Sequence, residues 1–527
     1  MGNGQVAEFT WQRAVGEARR MASYLKSLDL PPKSNIGILS KNCAHWIMTD
    51  LAIWMAGHVS VPLYPTLNGE TVAYILEHSE AKLLFVGKLD DWETMKSGVP
   101  ADLKCISYPL SPKTDYETWD DIVAKHSPLQ DVAVRVPEEL ATIVYTSGST
   151  GKPKGVMLSF FNMAYSAEGV VDALNISTDE RMLSYLPLSH VFERFVVEMG
   201  SLYRGFHLFF AESLDTFVQD LNRAQPTLFL AVPRIWTKFQ SGIFKKMPKE
   251  KMDKLMRIPL VNRLIKKKVI KGLGLQNVKF AGSGSAPLSD EIMGWYRQLG
   301  LELLEGYGMS ENFAYSHMTK PGRSRIGYVG EALPGVEVRI SEEGEVQVKS
   351  PATMMGYYKE PEKTAETMTE DGFLKTGDKG TIDEMGRLKL TGRIKEIFKT
   401  SKGKYVAPAP IENRITAHPH IEMVCVAGSE YPQPHALIML SEDAQARKVD
   451  EAFRKELEAS FVSLLKEVNA SLDPHEHLQF FTVVEQEWSI ENNFLTPTMK
   501  MKRNVIEDAY KAMLDDWYGR RQPVIWQ

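Results

Sequence analysis

A chain of 527 residues is long enough for more than one domain and for a core that encloses a ligand. Its hydrophobic content of 43% and charged content of 24% exclude a disordered chain, and a net charge of −5 gives no reason to expect nucleic acid. Cys43, Cys105 and Cys425 are odd in number and far apart, which argues against a disulfide framework or zinc site and suits a reducing, cytoplasmic setting. No apolar run nears the ~20 residues of a transmembrane helix, and no secretory pattern opens the chain.

Residues 11–30 carry Ala14, Ala18, Met21 and Leu25 at helical spacing, and Pro31-Pro32 stops the helix. Asn35–Leu39 and Val59–Leu63 read as buried strands around a helix over 44–57. This alternation continues to about residue 330 and predicts α/β layers with largely parallel sheets. Short alternating runs over 336–392, such as Val336-Glu337-Val338-Arg339-Ile340, predict a small antiparallel β unit. From Ile394 a smaller α+β lobe is expected, with helices at 448–469 and 502–517. The expected domains are therefore 1–393 and 394–527.

One loop stands out chemically. After the apolar run Leu140–Val144 comes Tyr145-Thr146-Ser147-Gly148-Ser149-Thr150-Gly151-Lys152-Pro153-Lys154-Gly155. Glycines let backbone N–H groups approach a ligand, while hydroxyls and lysines add donors and charge, so the loop suits phosphate oxygens. It is not a Walker A loop: Thr146 stands where the first Gly belongs, and Pro153 replaces Ser or Thr. On composition alone, such a run is more often a flexible surface loop.

In order and wording this loop resembles the signature of the adenylate-forming enzymes, among them acyl-CoA synthetases, nonribosomal-peptide adenylation domains and firefly-type luciferases. Further matches follow in the family's order. Glu305-Gly306-Tyr307-Gly308-Met309-Ser310-Glu311 resembles the family's Tyr-Gly-x-Ser/Thr-Glu motif. The resemblance implies that Tyr307, with Gly308, stacks on adenine, that Ser310 bonds the α-phosphate, and that Glu311, with Thr146, ligates Mg²⁺. Gly282-Ser283-Gly284-Ser285-Ala286-Pro287 is similar to the segment beside adenine and the acyl group. Asp378 and Arg393 match the ribose-binding pair. His190, in Pro187-Leu188-Ser189-His190, matches a residue beside the reacting carboxyl. Lys500 matches the lysine that bridges carboxylate and α-phosphate oxygens, with Lys502 as competitor. Lys395 is the implied hinge, and Ser401-Lys402-Gly403-Lys404 the loop that meets CoA.

Phe229–Phe239 and the three-residue spacing between Lys399 and Gly403 look like the long-chain fatty acyl-CoA synthetase branch. In that branch Trp236 would gate an acyl tunnel; a buried core tryptophan is the equal alternative. Two features depart from the pattern: Phe160-Phe161 stand where a basic residue is common, and the segment usually preceding Phe9 is short. The implied reaction is ATP-dependent activation of a long-chain acid followed by transfer to CoA. Alternatives are a fatty acyl-AMP ligase serving acyl carrier protein, an adenylating ligase for another acid, or a non-catalytic adenylate or lipid sensor. The sensor is disfavoured because Glu311, Lys500 and Asp378 are all present. Residues 244–271 hold eleven Lys or Arg among aliphatics. They read as a solvated helix face or as a peripheral contact with an anionic membrane. Oligomeric state stays open, a homodimer included.

Overall fold

The computed structural model describes residues 5–146, 152–496 and 499–527. An eight-stranded sheet runs, in spatial order, from Gly356–Tyr357 through Lys154–Ser159, Leu140–Thr146, Val59–Leu63, Asn35–Leu39, Leu83–Val86 and Lys104–Ser107 to Glu117–Thr118. It is parallel except at the first two pairings. Apart from half-buried Asn35, its central strands are buried along their length, which is why they read as largely apolar runs.

A second sheet has eleven strands. Phe280–Ser283 and Leu303–Tyr307 belong to its parallel half. The antiparallel strands expected over 336–392 are present, yet they continue this same sheet instead of forming one of their own. His317–Met318 pairs with Gly306-Tyr307 and Gly330–Ala332 extends the ladder to Arg387–Arg393. Beyond Ile394 a four-stranded sheet of Ile421–Ala427, His435–Leu440, Phe481–Val483 and Val524–Trp526 is covered by the helix Glu451–Ala470. The helix expected over 502–517 is broken into Arg503–Tyr510, a 3-10 turn at Lys511–Met513, and Leu514–Arg520.

The departure at Phe160-Phe161 leaves the following helix sound. Ser159 and Asn162 form a reciprocal cap on Phe160–Ala173. Asn162 Nδ2 also donates to the carbonyls of Pro351 and Thr353 at 2.7 and 3.0 Å. All three cysteines are buried and unpaired. Among the described residues no helix is long and apolar enough to cross a membrane.

Candidate active site

A cavity of about 1700 Å³ opens where Phe280–Ser283 and Leu303–Tyr307 end, walled by both sheets and by the C-terminal segment. A single small ligand needs about 300–1,000 Å³, so two can lie here together.

The turn after Tyr307 is held by its own side chains. Ser310–Asn312 form one 3-10 turn, and Asn312 Oδ1 accepts the Met309 N–H at 2.9 Å. Phe313 and Ala314 then adopt φ of 48° and 58°. Two successive non-glycine residues in the left-handed region cost about 1–3 kcal/mol each, so the surroundings must impose them. A Cβ on Gly308 would meet the Ala314 backbone at 2.5 Å. The result sets Ser310 and Glu311 on the cavity wall. Glu311 Oε1 accepts the Tyr357 O–H at 2.6 Å, and Oε2 has no hydrogen bond among the described residues.

Asp378 and Arg393 are register partners across an antiparallel pair. Arg393 Nε donates to Asp378 Oδ1 at 2.9 Å, and the Tyr307 hydroxyl donates to Oδ2 at 2.7 Å. Burial opposes the Arg393 charge, and Asp378, with Glu396 and Tyr307, more than offsets it. Burial pushes the Tyr307 phenol up, and the Asp378 charge adds to it.

Thr146 and Lys154 face each other at the mouth of a β-hairpin, and both line the cavity. The Lys154 ammonium lies 5.1 Å over the Tyr357 ring, its pKa lowered by burial and then by Lys363. Lys152 lies 5.1 Å over the Tyr74 ring and is not on the wall. Ser147, Gly148, Ser149, Thr150 and Gly151 fall outside the described residues. Tyr357 therefore holds a carboxylate by its hydroxyl and faces an ammonium with its ring. Sequence reading passed over it because Gly356-Tyr357 lies in no motif that resemblance had marked.

His190 caps a short helix: its Nδ1 accepts the Phe192 N–H at 3.2 Å. Burial and then the Lys500 charge push its pKa down to about 3. A neutral ring that accepts at Nδ1 carries its proton on Nε2. Gly282, Ser283, Ser285, Ala286 and Pro287 line the wall, with Ser285 at φ 70°. Ser283 Oγ is buried and has no hydrogen-bond partner among the described residues. Gly284 is not on the wall; a Cβ there would meet Phe192 at 3.2 Å. Trp236 is fully buried one layer behind, donating from Nε1 to Gly282 O at 3.3 Å and packing on Phe229 and Tyr296.

The C-terminal lobe brings in Lys500, which lines the same cavity as His190. Its loop is closed by the Thr496 N–H donating to Lys500 O at 2.8 Å. Arg503 anchors the base through two bonds to Glu412, at 2.8 and 3.0 Å. Burial and then Arg393 lower the Lys500 pKa, against Asp378, Glu311 and Glu396. Lys502 bonds Asn493 instead and is not on the wall. Lys395 lines the cavity, in the 3-10 turn Ile394–Glu396. Ser401, Lys402, Gly403 and Lys404 turn a hairpin away from it, Ser401 N–H donating to Tyr431 O at 3.0 Å.

Comparison with known proteins agrees with this geometry. The sequence profile of the AMP-binding enzymes matches residues 3–358, and that of the AMP-binding enzyme C-terminal domain matches 395–522. Human long-chain-fatty-acid–CoA ligase 1 is 32% identical, covering 98% of this chain and 82% of that protein. Long-chain-fatty-acid–CoA ligase FadD15 of Mycobacterium bovis is 30% identical, covering 98% and 93%. The adenylation domain of carboxylic acid reductase from Segniliparus rugosus, solved with AMP and a co-purified carboxylic acid, shares the fold. Its TM-score is 0.80 at 23% identity, over 98% of this chain and 87% of that one. The chain belongs to the AMP-binding, adenylate-forming enzymes.

Proposed function

We propose that the protein is an AMP-forming long-chain fatty acid–CoA ligase. The observation that carries this reading is the meeting of Lys500 and His190, from opposite lobes, in a cavity that Glu311, Asp378 and Arg393 also line. A carboxylate oxygen attacks the α-phosphorus of ATP, the bond to the bridging oxygen breaks, and pyrophosphate leaves. The Lys500 ammonium neutralises charge gathering on the carboxylate and α-phosphate oxygens. Neutral His190 donates from Nε2 and orients the acid, and Ser310 bonds the α-phosphate. Asp378 and Arg393 grip the ribose, while Tyr307 and Gly308 border the adenine. Thr146, Lys154 and the 147–151 loop serve the outer phosphates, and Lys152 would have to leave the Tyr74 ring to join them.

The residues present fit a magnesium ion shared with the triphosphate. Glu311 Oε2 and the Thr146 hydroxyl would hold it, and no group of three or more His, Cys, Asp or Glu among the described residues offers a dedicated cage. When bound it supplies charge neutralisation on phosphate oxygens.

In the second step domain 394–527 pivots at Lys395 against domain 1–393, withdrawing Lys500 and presenting Ser401–Lys404. The CoA sulfur, its proton lost, attacks the acyl carbon; the bond from that carbon to the AMP oxygen breaks. Trp236 gates the acyl end by shifting from behind Gly282. Fatty acid and CoA are the partners, with an anionic membrane and a homodimer as further proposals.

The test is AMP release from Mg·ATP and palmitate, with and without CoA, and analysis of the acyl product. Palmitoyl-CoA forming only with CoA supports the reading. Acyl-AMP accumulating while CoA is ignored points to a carrier-protein ligase, and turnover only with shorter or aromatic acids removes the long-chain assignment.

A further inference from the structure

Residues 244–271 carry eleven Lys or Arg against two acids, in a chain whose net charge is −5. Among the described residues only one of those cations, Lys245, forms an ion pair, with Asp443 at 3.6 Å. Of the others, Lys249 lines the cavity and Lys266 is half-buried, while Lys246, Lys251, Lys254, Arg257, Arg263, Lys267, Lys268 and Lys271 are exposed and form no ion pair among the described residues. The helix Val261–Gly272 buries Ile265 and Val269, and its outer face carries Arg263, Leu264, Lys267, Lys268 and Lys271.

The turn before that helix is unusual. Ile258, Leu260 and Leu264 are 47%, 72% and 69% exposed. A solvated helix face would cover its aliphatics with lysine stems; here three aliphatics within seven residues stay in water. Leu260 also sits at φ 71° and caps the helix with no side-chain hydrogen bond. Neither packing nor backbone preference within the chain favours a leucine there.

We propose that this turn docks the protein on an anionic phospholipid bilayer. Ile258, Leu260 and Leu264 enter the acyl boundary while Arg257, Arg263, Lys267, Lys268 and Lys271 meet the headgroups. The patch continues from the helix Pro233–Lys246, whose Trp236 backs the Gly282 wall. A lipid surface therefore meets the block of helices that also closes one side of the cavity. The benefit of such docking rests on the fatty-acid reading above; its test does not.

Each basic residue near an anionic surface changes partition about fivefold, and each buried leucine about tenfold. Flotation of the full chain without ATP, with vesicles of phosphatidylcholine alone or mixed with phosphatidylserine, reads both contributions. Binding is expected to the mixed vesicles, to weaken with salt, and to fall about a hundredfold in L260S/L264S. R263E/K267E should abolish the preference for phosphatidylserine. Both variants should keep wild-type turnover of vesicle-free acid, which shows that they fold. Absence of binding, equal binding to both vesicles, or undiminished binding by L260S/L264S overturns the proposal. Absence of binding would also be the result if the surface served an acidic protein instead.

Discussion

Arg393 and Arg194 each hold carboxyl groups, yet their surroundings are opposite. Arg393 pairs with Asp378 on the cavity wall, where Tyr307 completes the set and Lys500 stands near. Arg194 is fully buried with Asp50 and Glu198, donating to Glu198 at 2.8 Å and to Thr142 Oγ1 at 2.7 Å. Burial drives Glu198 well above the usual carboxylate range, and Asp50 Oδ1 and Glu198 Oε1 have no partner among the described residues. The sealed cluster begins four residues after His190, on a π-helical turn at Arg194–Met199. A strongly shifted group beside a site motif is thus not itself a site. Access to the shared cavity separates the cluster that can meet substrate from the one that braces the wall.

The sharpest way to break the contrast is Arg194→Met. Removing one partner leaves two buried carboxyls without their cation, which costs about 3–5 kcal/mol. The denaturation midpoint should fall accordingly, while the variant that does fold keeps its KM for ATP. A loss of ATP affinity without loss of stability would put Arg194 in the open class.

Lys500→Ala should behave in the reverse manner. Adenylate formation falls by at least about a hundredfold, some 2.7–4 kcal/mol of transition-state stabilisation, with the denaturation midpoint unchanged. Supplied acyl-adenylate and CoA should still give thioester. Equal loss of both half-reactions would remove Lys500 from its proposed role.

The open cluster is legible in the sequence because its members lie in short motifs that resemble those of a known family; on residue type alone each reads as a turn or a surface charge. The resemblance picks out Tyr307, Asp378, Arg393 and Lys500, and it prefers Lys500 to Lys502, which the structure places off the cavity wall. The sealed cluster was invisible: Asp50, Thr142 and Arg194 come from three distant segments and meet only through tertiary packing. The continuity of the second sheet is also hidden, since its link is made by His317–Met318 and Gly330–Ala332, ahead of the unit expected from 336, and antiparallel alternation reads alike whether a sheet is separate or continues another. Tyr357 was missed for a related reason, its hydrogen bond to Glu311 spanning 46 residues. Tyr357→Phe removes one bond to a charged group, nominally about 1.5–3 kcal/mol. With Glu311 still present, we expect about a tenfold weaker Mg·ATP affinity by calorimetry, recovered in part by excess Mg²⁺. Unchanged affinity would show that the tether is packing only.

The smallest effect separates the two groups by pH. Burial and the Lys500 charge hold His190 at about 3, below its ordinary 6.5. The unfolded chain therefore binds a proton on His190 that the folded chain refuses. Its neutral form favours folding above 6.5, and that contribution is lost progressively as pH falls from 6.5 toward 3. Adenylation should consequently show no inflection near 6.5 from this residue. Lys500 is lowered from 10.5, so its ammonium is lost at a pH below that value and the alkaline limb of adenylation should fall there. Lys500→Arg should move that limb upward while slowing the reaction, because a guanidinium stays charged but reaches differently. An acid inflection near 6.5 that disappears in His190→Asn would mean that His190 takes up a proton in the working enzyme. Its position would then report how far Lys500 stands from the histidine, and orientation by a neutral ring would give way to proton transfer.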